Sequence, residues 1–194
     1  MSEATLKKGG VCIYDMSDIF EPYMIRDMLV RNRFMRSATT SAFSDENGIV
    51  NDTIIKHYEK MSKGECGLII KGHLYIMDSG KAHDGMAGIS KDVQIPMLKK
   101  LTDAVHEHGG HIVAQINHGG VVHSPDRAGP SVYGEDDWIA RAFSGDEIES
   151  IIEGYGLGST RSRSTAHMVT SSASSSASTS ISAKTSGVEA LKTE

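Results

Sequence analysis

The order of apolar runs constrains this chain most. Cys66-Gly67-Leu68-Ile69-Ile70 and His111-Ile112-Val113-Ala114-Gln115 read as strands, and each is bordered by a stretch of helical periodicity. A strand that is apolar without interruption belongs to a sheet covered on both faces, which helical crossovers provide. Residues 34–39 supply a shorter first strand, and Asp45-Glu46-Asn47-Gly48 a turn after it. Asn51 or Asp52 can cap a helix running to about Lys63, with Ile54, Tyr58 and Met61 on one face and Gly64 at its stop. Residues 92–108 read as a second helix, with Pro96 in its first turn, Leu98, Leu101 and Val105 (with Ala104) as its stripe, and Gly109 at its end. After a long loop over residues 117–143, Ser144 and Glu147 form a capping-box pattern ahead of Ile148, Ile151 and Ile152. Three β-α units in succession predict a parallel sheet with helical crossovers, and periodicity alone leaves a closed barrel and an open doubly wound sheet both standing. No Gly-x-Gly-x-x-Gly lies between a strand and a helix, which argues against a dinucleotide-binding half.

Bulk properties narrow the function classes. The 194 residues are 39% hydrophobic, enough for one moderate core, and the net charge of −5 offers no electrostatic footprint for nucleic acid. No apolar run approaches the ~20 residues that span a membrane. Residues 1–10 are polar and lack the apolar core of a signal peptide. Cys12 and Cys66 are the only cysteines, so a reducing, cytoplasmic setting is expected, with Cys66 a buried thiol that nothing nearby activates.

Chemistry concentrates at the strand ends. Thr39 and Thr40 close the first strand, Lys71, Gly72 and His73 the second, and Gln115, Asn117 and His118 the third. In parallel β/α proteins ligands sit at the carboxyl ends of strands. A glutamine amide donates and accepts at once, a threonine hydroxyl can donate to a ring carbonyl, and a glycine lets a flat ring approach the backbone. One such residue alone is an ordinary loop or cap residue; three successive strand ends together fit a flavin ring better than a phosphate or a metal. His106, His108 and His111 raise a metal reading, but the His-x-His pair falls at a helix end before Gly109, where a solvated imidazole is the plainer role.

These residues resemble a known family. Asn32-Arg33-Phe34-Met35-Arg36-Ser37-Ala38-Thr39, His57-Tyr58, Gly67-Leu68-Ile69-Ile70, and Ala104-Val105-His106 with Gly109 resemble segments of the Old Yellow Enzyme family of FMN-dependent NAD(P)H:flavin oxidoreductases and ene-reductases. Gln115-Ile116-Asn117-His118-Gly119-Gly120 resembles that family's Gln-Leu-x-His-x-Gly signature, and the matching segments lie in family order across about residues 20–155. The resemblance implies an α/β fold, a partial (β/α)8 TIM barrel of about the first three β-α units, with FMN at the carboxyl rim. Ala38, Thr39 and Thr40 would line the flavin, the Thr40 hydroxyl near its C4 carbonyl. Gly72 would pack beside the ring, Gln115 would bond its pyrimidine edge, and His118 matches the signature's histidine. The arginine that often follows the signature is Val121 here. The implied reaction passes a hydride from NAD(P)H to FMN and on to an electron-poor alkene.

Near Tyr155 the composition breaks, and from Ser171 to Ser180 every residue is Ser, Ala or Thr. The expected organisation is therefore a barrel part over residues 1–155 and a tail over residues 156–194 without packed structure. The genetic code suggests a reason. Joining the third base of each codon to the next two makes Met168-Val169 a glycine, and residues 166–171 permit Ala-His-Gly-Tyr-Leu. Residues 185–194 permit Glu-Trp-Gly-Gly-Ser-Ile-Glu-Asn-Arg. These strings resemble the family's next segment in order and spacing, so the tail reads as that segment in a shifted frame; one usual proline, at the Ala177/Ser178 join, is not permitted. The family's His-x-x-His pair and its proton-delivering tyrosine are then absent as translated, and His167 takes no catalytic role. The chain is expected to be inactive alone. The alternatives are a non-catalytic fragment that associates with another chain through an unpaired sheet edge, or a metal-dependent hydrolase using His106 and His108.

Overall fold

The computed structural model describes residues 17–121, 126–135, 138–165 and 169–172. A short hairpin opens it, β1 (Tyr23–Ile25) against β2 (Met28–Val30). The main sheet is parallel, in the order β3 (Met35–Arg36), β4 (Leu68–Tyr75), β5 (Ile112–Asn117), β9 (Val169–Ser172). Strand order follows chain order because each crossover is a helix: α1 (Asp52–Lys63), α2 (Ile95–His106) and α3 (Gly145–Ser164). Between β5 and α3 the chain leaves the sheet for a small one of β6 (Ala128–Gly129), β7 (Tyr133–Glu135) and β8 (Trp138–Ala142), in the order β6-β8-β7. The long loop read from sequence thus carries strands of its own, too short for periodicity to announce.

The local signals act as expected at the helix ends. Asn51 accepts a hydrogen bond from the Ile54 amide and starts α1. Pro96 sits in the first turn of α2, a three-residue 3-10 turn at Asp92–Gln94 precedes it, and Gly109 at φ +67° closes the region. The Ser144–Glu147 capping box opens α3, with the Glu147 amide 3.2 Å from Ser144 Oγ and the Ser144 amide 2.8 Å from a Glu147 carboxylate oxygen. Arg141 reaches the same carboxylate and also pairs with Asp126, tying β8 to the helix start.

Each face of the sheet has its own cover. Ile69, Leu74 and Ile76, with Ile112, Ala114 and Ile116, pack with Ile54, Ile55 and Tyr58 of α1 and Leu98, Leu101 and Val105 of α2. On the opposite side Val30 from the hairpin joins Leu68 and Val113, with Met28 and Ile70 against them. The hairpin therefore closes one end of the inner face and leaves the carboxyl end for a ligand.

The composition break at Tyr155 is not an end of regular structure. α3 runs on to Ser164, although Gly and Ser are weak helix formers. Tertiary packing holds it: Gly154 and Gly158 lie against Ile76, Ser162 is buried, and Thr102 Oγ1 donates to the Thr165 carbonyl at 2.7 Å. Val169–Ser172, whose last two residues open the Ser/Ala/Thr tract, pairs in parallel with β5 from Val113↔Val169 to Ile116↔Ser172. The expectation that this stretch forms no strand is corrected here; ladder hydrogen bonds use the backbone and need no apolar alternation. His167 and residues 173–194 lie outside the described residues. Among the described residues, β3 and β9 are the unpaired edges of the main sheet, and no helix is long and apolar enough to cross a membrane.

Candidate functional site

The rim is organised by a fault in the β4–β5 ladder. Pairing runs through Lys71↔Ala114 and resumes at Leu74↔Ile116, so Gly72 and His73 together face the single residue Gln115. This is the geometry of a bulge, which re-aims side chains at a strand end. Gly72 has no room for a side chain. A Cβ there would fall inside the van der Waals shell of the Thr39 carbonyl oxygen, 3.7 Å from Thr40 Cα. Its amide donates to the Tyr58 hydroxyl at 3.0 Å. Thr39 and Thr40 are exposed at the rim beside it, Ala38 is half-buried, and Thr39 Oγ1 donates to the Ser37 carbonyl at 3.3 Å. The structure thus brings Thr39, Thr40, Gly72 and the half-buried Gln115 to one place.

His118 goes elsewhere. Side chains alternate along β5, with Ala114 and Ile116 on the helix side, and His118 follows that side. Its ring stands edge-on to Phe143 at 5.8 Å and against Gly80, and its Nδ1 accepts from the Gly120 amide at 3.1 Å. It lines a cavity of about 230 Å³ with Met77, Arg141, Phe143 and Ile151. Burial pushes its imidazole pKa below the usual value.

Two features escaped the sequence. Lys71 is 1% exposed, with Nζ donating to the Gly72 carbonyl at 3.1 Å and lying 5.7 Å from the Tyr58 ring centre. Burial pushes its amine pKa down to about 8. The available signal was a charge set directly after the apolar run that ends at Ile70. His73 meets His83, which stands in the connection beyond β4; nothing in a loop histidine announces such a partner.

The metal candidates do not converge. His108 Nε2 lies 3.4 Å from Glu59 Oε1, whereas His111 Nε2 donates to the Leu29 carbonyl at 2.9 Å. Among the described residues no three His, Cys, Asp or Glu side chains come together as a metal cluster. Cys66 is half-buried rather than fully buried, its Sγ 3.3 Å from the Leu68 carbonyl.

Parallel strands in chain order, helix-covered on one face and carrying polar groups around a side-chain-free position at their carboxyl ends, define the class: the first strands of a (β/α)8 barrel. The chain belongs to the NADH:flavin oxidoreductase / NADH oxidase family, whose model matches residues 18–169. It is 33% identical over 146 residues to the Bacillus subtilis (strain 168) protein named "Probable NADH-dependent flavin oxidoreductase YqiG", covering 71% of this chain and 39% of that protein. The structure is similar to 2-naphthoyl-CoA reductase in its 2-naphthoyl-CoA complex, with a TM-score of 0.76 and 25% identity over 80% of this chain and 27% of that one. It also resembles the old yellow enzyme homologue from Zymomonas mobilis, with a TM-score of 0.73 and 22% identity over 80% of this chain and 48% of that one. The chain thus spans about two fifths of the length of its curated relative. The family is one of oxidoreductases, with flavin and nicotinamide as its redox pair.

Proposed function

We propose that this chain carries one side of an FMN site, formed by Ala38, Thr39, Thr40, Gly72 and Gln115, in an oxidoreductase that reduces electron-poor alkenes with NAD(P)H. The observation that carries the reading is the bulge that sets Gly72 beside Gln115 and against Thr39. The donor set fits a flavin. Gln115 offers a donor and an acceptor from one amide, matching a heterocycle edge that alternates N–H and C=O, and the Thr40 hydroxyl can donate to a ring carbonyl. Gly72 keeps the approach of a flat ring unobstructed. His118 supports the turn after β5 rather than touching the ring, given its place in the side cavity. Bound FMN would supply the hydride chemistry; these residues bind and orient it. The reading includes a small-molecule substrate, no nucleic acid or membrane, and a reducing, cytoplasmic setting, in keeping with the free thiol of Cys66.

FMN titration followed by flavin absorbance and fluorescence tests this. Saturable binding is expected, weakened about tenfold by Gln115→Leu, which removes the amide from a polar ring edge. Absence of binding would remove the reading.

We also infer that the chain by itself does not turn over substrate, because the segment after α3 reads in a shifted frame and leaves out the family's His-x-x-His pair and tyrosine. The coding DNA decides: the alternate frame downstream of residue 155 should spell that segment, and any other string would end the idea. Association through the open edges at β3 and β9 is the accompanying proposal, tested by flavin content after co-expression with an intact relative.

A further inference from the structure

His73, at the bulge of β4, and His83, in the connection that follows, approach with their Nε2 atoms 3.1 Å apart and their ring centres 5.3 Å apart. Both rings are half-buried, so a small ligand can reach them. Their outer nitrogens fix where the hydrogens lie. His83 Nδ1 is 2.8 Å from the Asp84 carbonyl oxygen, which can only accept, so that nitrogen carries the hydrogen. Asn117 Nδ2 lies 3.3 Å from His73 Nδ1 and donates to it, so His73 carries its hydrogen on Nε2. The neutral pair is therefore satisfied as a chain, with His73 Nε2–H donating to the bare Nε2 of His83.

One more proton on His83 Nε2 places an N–H on both facing nitrogens and turns that hydrogen bond into a repulsion. The groups facing the pair make this worse. Burial first, then His83 and Lys71, hold the His73 pKa below its usual value. Lys71 lies beneath on the same strand; Asp84 engages His83 through its carbonyl; Asn117, across on β5, is uncharged. As they stand, the contacts of the free pair accommodate one hydrogen between its facing Nε2 atoms. A ligand oxyanion between the rings reverses the balance, since both N–H groups then donate to it in charge-assisted bonds.

We propose that His73 and His83 form a proton-coupled anion site that takes the carboxylate of a small ligand between their two Nε2–H groups, with one proton drawn from solvent for each ligand bound. No bond to carbon is made or broken; the proton moves from water to His83 Nε2. The place of this site at a flavin mouth rests on the function proposed above, but its chemistry does not.

The probe is benzoate, added to the full chain without flavin. Linkage of one proton to one ligand makes the affinity fall as pH rises, by up to about tenfold per pH unit. Calorimetry from pH 6 to 8 in two buffers of different ionisation enthalpy should give that slope and one proton taken up. Nitrogen-15 spectra of the unsubstituted chain should show both Nε2 atoms protonated once benzoate is bound. His73→Gln and His83→Gln, checked for folding by circular dichroism, should each lose proton uptake and tenfold or more in affinity. Affinity equal at pH 6 and 8, or both variants binding as the parent does, would overturn the proposal. The FMN titration is separate, so failure of one reading leaves the other standing.

Discussion

Lys71→Met should raise the unfolding free energy at pH 7 by about 3 kcal/mol, because the lysine's pKa near 8 in the folded chain lies well below its ordinary 10.5. The cause is burial: the side chain is 1% exposed, and its Nζ has a backbone carbonyl and a ring face as neighbours. Below about pH 8 the folded chain holds a buried ammonium and the full penalty is present. Between about 8 and 10.5 the unfolded chain binds a proton that the folded chain lacks, so parental stability rises with pH through that window. Methionine keeps much of the volume and carries no charge. Urea midpoints at pH 7 and pH 10 provide the measurement. The variant should gain at pH 7 and gain much less at pH 10; an equal shift at both would mean that packing, not ionisation, sets the effect.

Gly72→Ala should cost about 1–3 kcal/mol of stability, the usual range for forcing extra volume into a packed place. It should also weaken FMN binding more than tenfold. The new methyl group meets backbone rather than a side chain that can turn away. β3 must therefore move off β4, to which it is joined by only the pairs Met35↔Leu68 and Arg36↔Ile69. That movement carries Thr39 and Thr40 away from Gln115. Gly145→Ala is the control, because nothing lies within 4 Å of its added carbon. Parental stability and FMN affinity for Gly72→Ala would refute the close approach on which the rim depends.

Much of this rim was readable from the sequence. Gly72 stands two residues beyond Ile70, where a run that must be a covered strand ends, and Gln115 ends the next such run. Strand ends of a parallel sheet lie side by side, so those two positions converge with Thr39 in any arrangement that keeps chain order. The caps at Asn51 and Ser144 were equally legible, since capping is satisfied within one turn of chain. The packing of His118 was not legible, because a motif gives spacing, whereas the face a residue takes follows from alternation along β5 and what packs beside it.

The sequence by itself determined the succession of strands and helices, their caps and the polar character of the three strand ends, because these follow from periodicity and hydrogen bonds a few residues long. Only the tertiary structure decided that Lys71 is buried, that His73 faces His83, and that Val169–Ser172 joins the sheet. Each depends on register between distant strands: one extra residue at the β4 bulge changes which face the following side chains take, and a strand edge can pair with backbone whatever the side chains are.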